Sequence, residues 1–314
     1  MQITPIYNKI YSSKALNNIN FKGTNYTENI QGQKLIHETS FFRELDTDEF
    51  VKDYLVRTFL SKNMPVNIVV GACSAGYEVY SQAILYDEYK DRVDIFGFDL
   101  GPQAIEQAKS GEFIIQGPTY EAQDTSVCND NFLVRANQKS VCQKKCQELF
   151  KKYFSLKAEK GINNSNMHPL WQYAFSFENN YKLNDGYGEN CSFEVGDITK
   201  LDDILEDNST HCLFFRNALY HLACDINANK ALKRNSRQII KNIAQDVNRK
   251  LVTGGLFVFG ENEETQGINK NEVYEVMQEC GFEPLNTDYR ISKLPKRFYE
   301  YSKPAYTNVW RKVG

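Results

Sequence analysis

Four apolar runs stand out along the chain: NIVVGA (67–72), DIFGF (94–98), HCLFF (211–215) and GLFVFG (255–260). None alternates apolar with polar residues as a half-solvated strand does, so each reads as a strand buried on both faces, as in a parallel sheet. Helical periodicity separates them. After the first run, GYEVYSQAILYDEYK puts Val79, Ala83 and Tyr86 on one stripe. After the second, PQAIEQAKSG places Pro102 at a helix start and Gly111 just past its end. After the third, Leu232, Ile239, Ile243, Val247 and Leu251 recur at helical spacing until Thr253-Gly254-Gly255 stops the helix. Strands alternating with helices predict an α/β fold with a doubly wound, mostly parallel, Rossmann-like sheet.

Two regions depart from this rhythm. Phe41, Phe42, Leu45, Phe50, Tyr54, Leu55 and Phe59 give a helical section over 37–62 an apolar side, while residues 1–36 are polar and read as a flexible tail. Residues 112–190 mix polar and aromatic residues with turn signals at Asn163-Asn164, Asn179-Asn180 and Asn184-Asp185-Gly186. They read as an inserted subdomain, opened by a helix over 137–154 and continued by short strands near Trp171–Phe177 and Tyr181. The main domain then comprises 63–111 and 191–314.

Composition narrows the function. Hydrophobic residues make up 41% and charged residues 25% of the chain, the balance of an ordinary globular protein. A net charge of −3 and a pI near 5.9 lack the basic excess of a nucleic-acid-binding domain. There is no apolar run of about 18 residues for a membrane span, and residues 1–23 lack the apolar centre of a secretory signal, so a cytoplasmic location without membrane insertion is expected. The eight cysteines show no CxxC and no metal-ligand spacing; they read as reduced thiols, and no metal is expected.

The chemistry gathers after the first two strands. Doubly wound folds bind ligands beyond the carboxyl ends of their strands, where a Gly-rich first turn lets the ligand approach the backbone. GACSAGYE (71–78) supplies such a turn. Asp99 ends the second strand, where such folds set a carboxylate against a ribose hydroxyl pair. Together they point to a nucleoside-containing ligand.

Six segments in order resemble the CheR-type chemotaxis-receptor methyltransferases: ETSFFRE (38–44), ACSAGYEVYSQA (72–83), GFDLGPQAIEQAKSGEF (97–113), SFEVGDITKL (192–201), LFFRNALYHL (213–222) and LVTGGLFVFGENEE (251–264). The resemblance implies a class I methyltransferase fold with S-adenosylmethionine (SAM) as cofactor and S-adenosylhomocysteine (SAH) as product. It implies a protein glutamate as methyl acceptor, with the cytoplasmic region of a chemoreceptor as the expected partner. It also implies roles residue by residue. Thr39 and Arg43 reach the methionyl carboxylate and the acceptor, and His37, where the family usually has Asn, joins the cofactor-binding set. Glu78 contacts the amino acid part of the cofactor, Asp99 the ribose, and Asp197 with Ile198 the adenine. Arg216 and Asn217 form the edge of the site. Arg43 and the Tyr220-His221 pair are the catalytic candidates, His221 standing where the family has a tyrosine. The family's N-terminal helical domain has no counterpart in residues 1–36, which leaves partner recognition to 112–190. Two other functions share this cofactor: methylation of a small molecule or another protein side chain, and a non-catalytic SAM or SAH sensor.

Overall fold

The first apolar run forms β1 (Val66–Gly71), an inner strand of a seven-stranded sheet. The computed structural model describes residues 27–28, 34–35, 41–42, 45–117, 148–161, 177–216, 218–219, 222, 236–260, 270–285 and 309–314. Within them the strands continue as β2 (Val93–Asp99), β3 (Glu112–Gly117), β4 (Phe154–Gly161), β5 (Phe177–Leu183) and β6 (Cys191–Val195). They end with β7 (Thr210–Phe215), β8 (Leu251–Phe259), β9 (Phe282–Pro284) and β10 (Val309–Lys312). The helices are α1 (Leu45–Thr58), α2 (Tyr77–Leu85), α3 (Pro102–Ser110), α4 (Ser236–Lys250) and α5 (Lys270–Glu279).

The main sheet runs β6-β2-β1-β7-β8-β10-β9. Its neighbours are parallel except at β10, which is antiparallel to both β8 and β9. This is the doubly wound, mostly parallel sheet expected from the sequence, with one reversed strand inserted near the edge. Burial explains the strand sequences. All six residues of the inner strand β7 are buried, whereas β6 at the edge alternates half-buried with exposed positions. Successive side chains on a strand take opposite faces, so Ile68 and Val70 join a core with α1, α2 and α3, while Val69 joins a core with α4 and α5.

Local details depart from the sequence expectations. The helix after β7 ends at Lys250, and Leu251 already pairs with Thr210 as the first residue of β8. Gly254 and Gly255 therefore lie inside the strand. The β7–β8 register shifts between Leu251 and Leu256, with Gly254 at φ +79°, where a side chain would be strained. A glycine bulge bends the strand there, and Tyr54 of α1 donates a hydrogen bond to the Gly254 carbonyl at 2.8 Å. The glycines shape a strand instead of ending a helix. Inside the stretch read as a tail, Thr27–Glu28 pairs antiparallel with Lys34–Leu35.

The segment after α3 carries a separate antiparallel sheet in the order β3-β5-β4. Residues 148–153 are helical, as read, but Phe154 begins β4; residues 137–147 lie outside the described residues. Phe41 joins this sheet to the main domain. Its ring lies 4.7 Å from Tyr77, 4.9 Å from Phe113, 4.9 Å from Phe154 and 5.0 Å from Phe150, centroid to centroid. Phe41 and Phe42 thus do not face the core from a helix: they form a buried turn before α1. Phe42 has φ +48°, a conformation costing about 1–2 kcal/mol for an L-residue. Its N–H is held by Ser81 Oγ at 2.9 Å.

Candidate functional site

Strand order reverses between β1 and β7, which places the crevice of a doubly wound sheet beyond Gly71 and Phe215. The chain leaves β1 through a turn with Ala72, Ser74 and Gly76 at φ +53°, +50° and +84°. Two non-glycine residues in the left-handed region cost about 1–2 kcal/mol each. Asp99 offsets part of that cost. One of its carboxylate oxygens accepts from Ser74 N at 2.8 Å and the other from Gly101 N at 2.8 Å, so it fastens the turn to the end of β2. A carboxylate oxygen has two acceptor sites, and each still has one for a ligand.

This holding arrangement makes Asp99 sensitive to an isosteric change. Asp99→Asn puts an amide N–H₂ against one of the two backbone N–H donors and removes the charge. We expect about 10- to 30-fold weaker SAH binding, the loss of a charge-assisted hydrogen bond, read by calorimetry. Unchanged affinity would exclude Asp99 from the ligand site.

Gly76 caps α2 from the left-handed region, and a Cβ there would stand 2.9 Å from Ala108 Cβ and 3.1 Å from Phe193 Cε1. Both the backbone conformation and the space exclude a side chain. Gly76→Ala is expected to cost about 1–3 kcal/mol in chemical denaturation, the range of an overpacked site. A change below half a kcal/mol, roughly the scale of surface substitutions, would contradict the close packing.

The loop after β6 supplies a second carboxylate. Val195 pairs in register with Asp99, and Asp197 follows two residues later. Its Oδ1 accepts from Thr199 N at 2.9 Å and Thr199 Oγ1 at 2.8 Å, capping a short 3-10 helix, Ile198–Asp203. Ile198 is buried beside it.

Glu78 sits in the first turn of α2, and its Oε1 accepts from Arg216 Nε at 2.7 Å. Arg216 follows β7 directly. Its side chain is 1% exposed, its Nη2 lies 2.9 Å from Asp48 Oδ1, and its guanidinium stands over the Phe214 ring at 4.9 Å. Gln82 Nε2 donates to the same Asp48 oxygen at 2.9 Å. Burial pushes the Asp48 carboxyl up to about 6, Glu78 adding to that rise while Arg216 opposes it.

Asp48 and Gln82 escape the sequence reading. Their signal is a polar residue on an apolar stripe: Asp48 lies three residues after Leu45 and three before Val51, and Gln82 three after Val79. His37, Thr39, Arg43, Asn217, Tyr220 and His221 lie outside the described residues. Among the described residues no group of three His, Cys, Asp or Glu is placed to hold a metal ion.

The arrangement selects by charge. Doubly wound dinucleotide folds place a pyrophosphate at the first helix N-terminus, where free N–H groups and the helix dipole attract anions. Here Glu78 puts a carboxylate in that first turn. The site therefore disfavours a phosphate and suits a nucleoside carrying positive charge.

Residues 37–117 match the family model for the CheR methyltransferase, SAM-binding domain. No curated protein matches the chain. Among solved structures, it is similar to the CurJ carbon methyltransferase at 10% identity, over 87% of this chain and 57% of that one, with TM-score 0.43. It is similar to the DszA carbon methyltransferase at 10% identity, over 86% and 54%, with TM-score 0.42. It is also similar to CrArsM, an arsenic(III) S-adenosylmethionine methyltransferase from Chlamydomonas reinhardtii, at 14% identity over 80% and 64%, with TM-score 0.36. The chain spans less than two thirds of the length of each of these three structures. The matched segment runs from before α1 to the end of β3 and carries Glu78 and Asp99 within a SAM-binding methyltransferase domain.

Proposed function

We propose that this chain is a SAM-dependent protein-glutamate O-methyltransferase, acting on a chemoreceptor-like protein. The observation that carries the cofactor's placement is the carboxylate of Glu78 in the first turn of α2, with Asp99, fixed by Ser74 and Gly101, at the end of the neighbouring strand β2. The donor set fits SAM. Asp99 offers one acceptor per oxygen to the ribose hydroxyl pair, Glu78 meets the methionyl ammonium, and Asp197 with Ile198 meets the adenine. Two carboxylates suit a ligand carrying both an ammonium and a sulfonium.

Bound there, SAM supplies a methyl group already activated toward attack. The residues of the chain then need only to align and dehydrate the acceptor. A glutamate with an unperturbed pKa of about 4.3 is ionised at neutral pH, so no general base is required. Arg43 orients the acceptor carboxylate through paired hydrogen bonds without taking its proton. Thr39 and His37 hold the methionyl end, and Asn217 with Tyr220-His221 closes the crevice after β7. The gain comes from proximity and the exclusion of water.

The test is transfer of labelled methyl to a receptor-like protein followed by mild base. Base-labile label is the expected result. Base-stable label would replace the carboxylate with another acceptor, and tight SAH binding without transfer would replace the enzyme with a sensor.

A further inference from the structure

The charges around Arg216 do not balance. One guanidinium faces two carboxylates, Glu78 at 2.7 Å and Asp48 at 2.9 Å, and the Asp48 side chain is 0% exposed. Among the described residues, the other ionisable groups facing Asp48 add no positive charge. Tyr86, just past the end of α2, and Cys212 on β7 are both kept protonated by burial, and on α1 itself Lys52 is paired with Glu88. With every carboxylate ionised, the group would hold an excess negative charge away from water, which is costly.

Two atoms show where the balance is restored. Asp48 Oδ2 and Gln82 Oε1 are both buried without a hydrogen-bond partner among the described residues, although the same side chains are joined through Gln82 Nε2 and Asp48 Oδ1. Two acceptors cannot satisfy each other. A proton on Oδ2 turns that oxygen into a donor for Oε1 and closes an acid–amide pair, removing both unsatisfied atoms at once. The upward push that burial gives the Asp48 carboxyl acts in the same direction.

We propose that Asp48 is a positioning residue that, at mildly acidic pH, carries a proton in the cofactor-free protein and releases it when the ammonium of SAM or SAH docks against Glu78. This deepens the reading above and rests on its assignment of Glu78. The incoming ammonium brings the group to two cations and two carboxylates. The proton on Asp48 Oδ2 then goes to the buffer, and the ionised carboxylate grips Arg216, which in turn fixes Glu78 against the ligand. Cofactor binding thereby becomes weaker as pH falls through the value at which Asp48 takes up its proton.

The experiment is calorimetry of SAH binding to the full chain in buffers of different ionisation enthalpy. Near pH 5, where Asp48 is mostly protonated, close to one proton should leave per SAH bound; near pH 7.5, almost none. Affinity should fall about tenfold from about pH 7 to about pH 5. Asp48→Asn keeps an amide donor toward Gln82 and should bind SAH with little proton release and a flatter pH profile. Infrared difference spectra of the unaltered protein give a readout that needs no variant: a protonated-carboxyl band should disappear on SAH binding. Near pH 5, SAH binding without proton release, proton release unchanged in Asp48→Asn, or an infrared difference lacking that band would overturn the proposal. No SAH binding at any pH would remove the cofactor assignment itself, and this proposal with it.

Discussion

Arg216→Ala is expected to lower stability by about 3–5 kcal/mol, the cost of leaving a buried charge without its partner. The side chain is 1% exposed and joins three elements: β7, which leads into it, α2 through Glu78 and α1 through Asp48. Truncation removes both ion pairs and the contact with the Phe214 ring. It also leaves two carboxylates facing each other across a cavity. The loss should appear as a lower urea midpoint with an unchanged slope, since the folded shape is kept. Arg216→Lys should recover only part of it, because an ammonium lacks the planar fork that serves both carboxylates. The sign of the pH dependence follows from Asp48. Its carboxyl is raised to about 6 with Arg216 opposing the rise, so without Arg216 it takes up its proton at higher pH, and the deficit should shrink as pH falls toward 6 and level off below it. A variant within about 1 kcal/mol of the original at neutral pH would refute a structural role for the pair.

Arg43→Ala is expected to abolish methyl transfer, by about a thousandfold or more in single turnovers. Arg43 follows the two phenylalanines that are anchored most firmly in this part of the chain: Phe41 inside its ring cluster and Phe42 held by Ser81. A guanidinium can hold a carboxylate in line with the methyl group, and losing alignment forfeits much of the advantage of proximity. Arg43→Lys keeps the charge but not the paired hydrogen bonds, so little activity should return. SAH affinity, measured alongside, should fall far less than the rate. Near-normal transfer by Arg43→Ala would remove this residue from the mechanism.

The sequence revealed the parts of the fold whose cause is local. β1, β2 and β7 begin one residue before the apolar runs that announced them, because a continuous run of large apolar residues has few other places to go. Pro102 and Gly111 delimit α3 through their own backbone preferences. The glycines of β8 were misread because a helix stop and a strand bulge use the same residue, and the strand pairing that decides between them comes from β7. Asp99 was legible for the same reason as β2, since it sits where the strand ends. The partners of Arg216 were not. Glu78 lies 138 residues away in sequence, and whether the two meet depends on how α1, α2 and β7 pack together. Only the polar positions of Asp48 and Gln82 on apolar stripes hint at a buried partner.

β10 lies between β8 and β9 but follows both in the chain. Its Trp310 is fully buried and pairs in register with Phe257 on one side and Pro284 on the other. During synthesis, the β6-β2-β1-β7 half can assemble as the ribosome delivers it, whereas β8 must wait with an open edge for a strand that emerges later. An unpaired inner edge invites pairing with other chains. The nascent protein is therefore most exposed to aggregation in the interval before residues 309–312 leave the exit tunnel, and chaperone dependence should concentrate there.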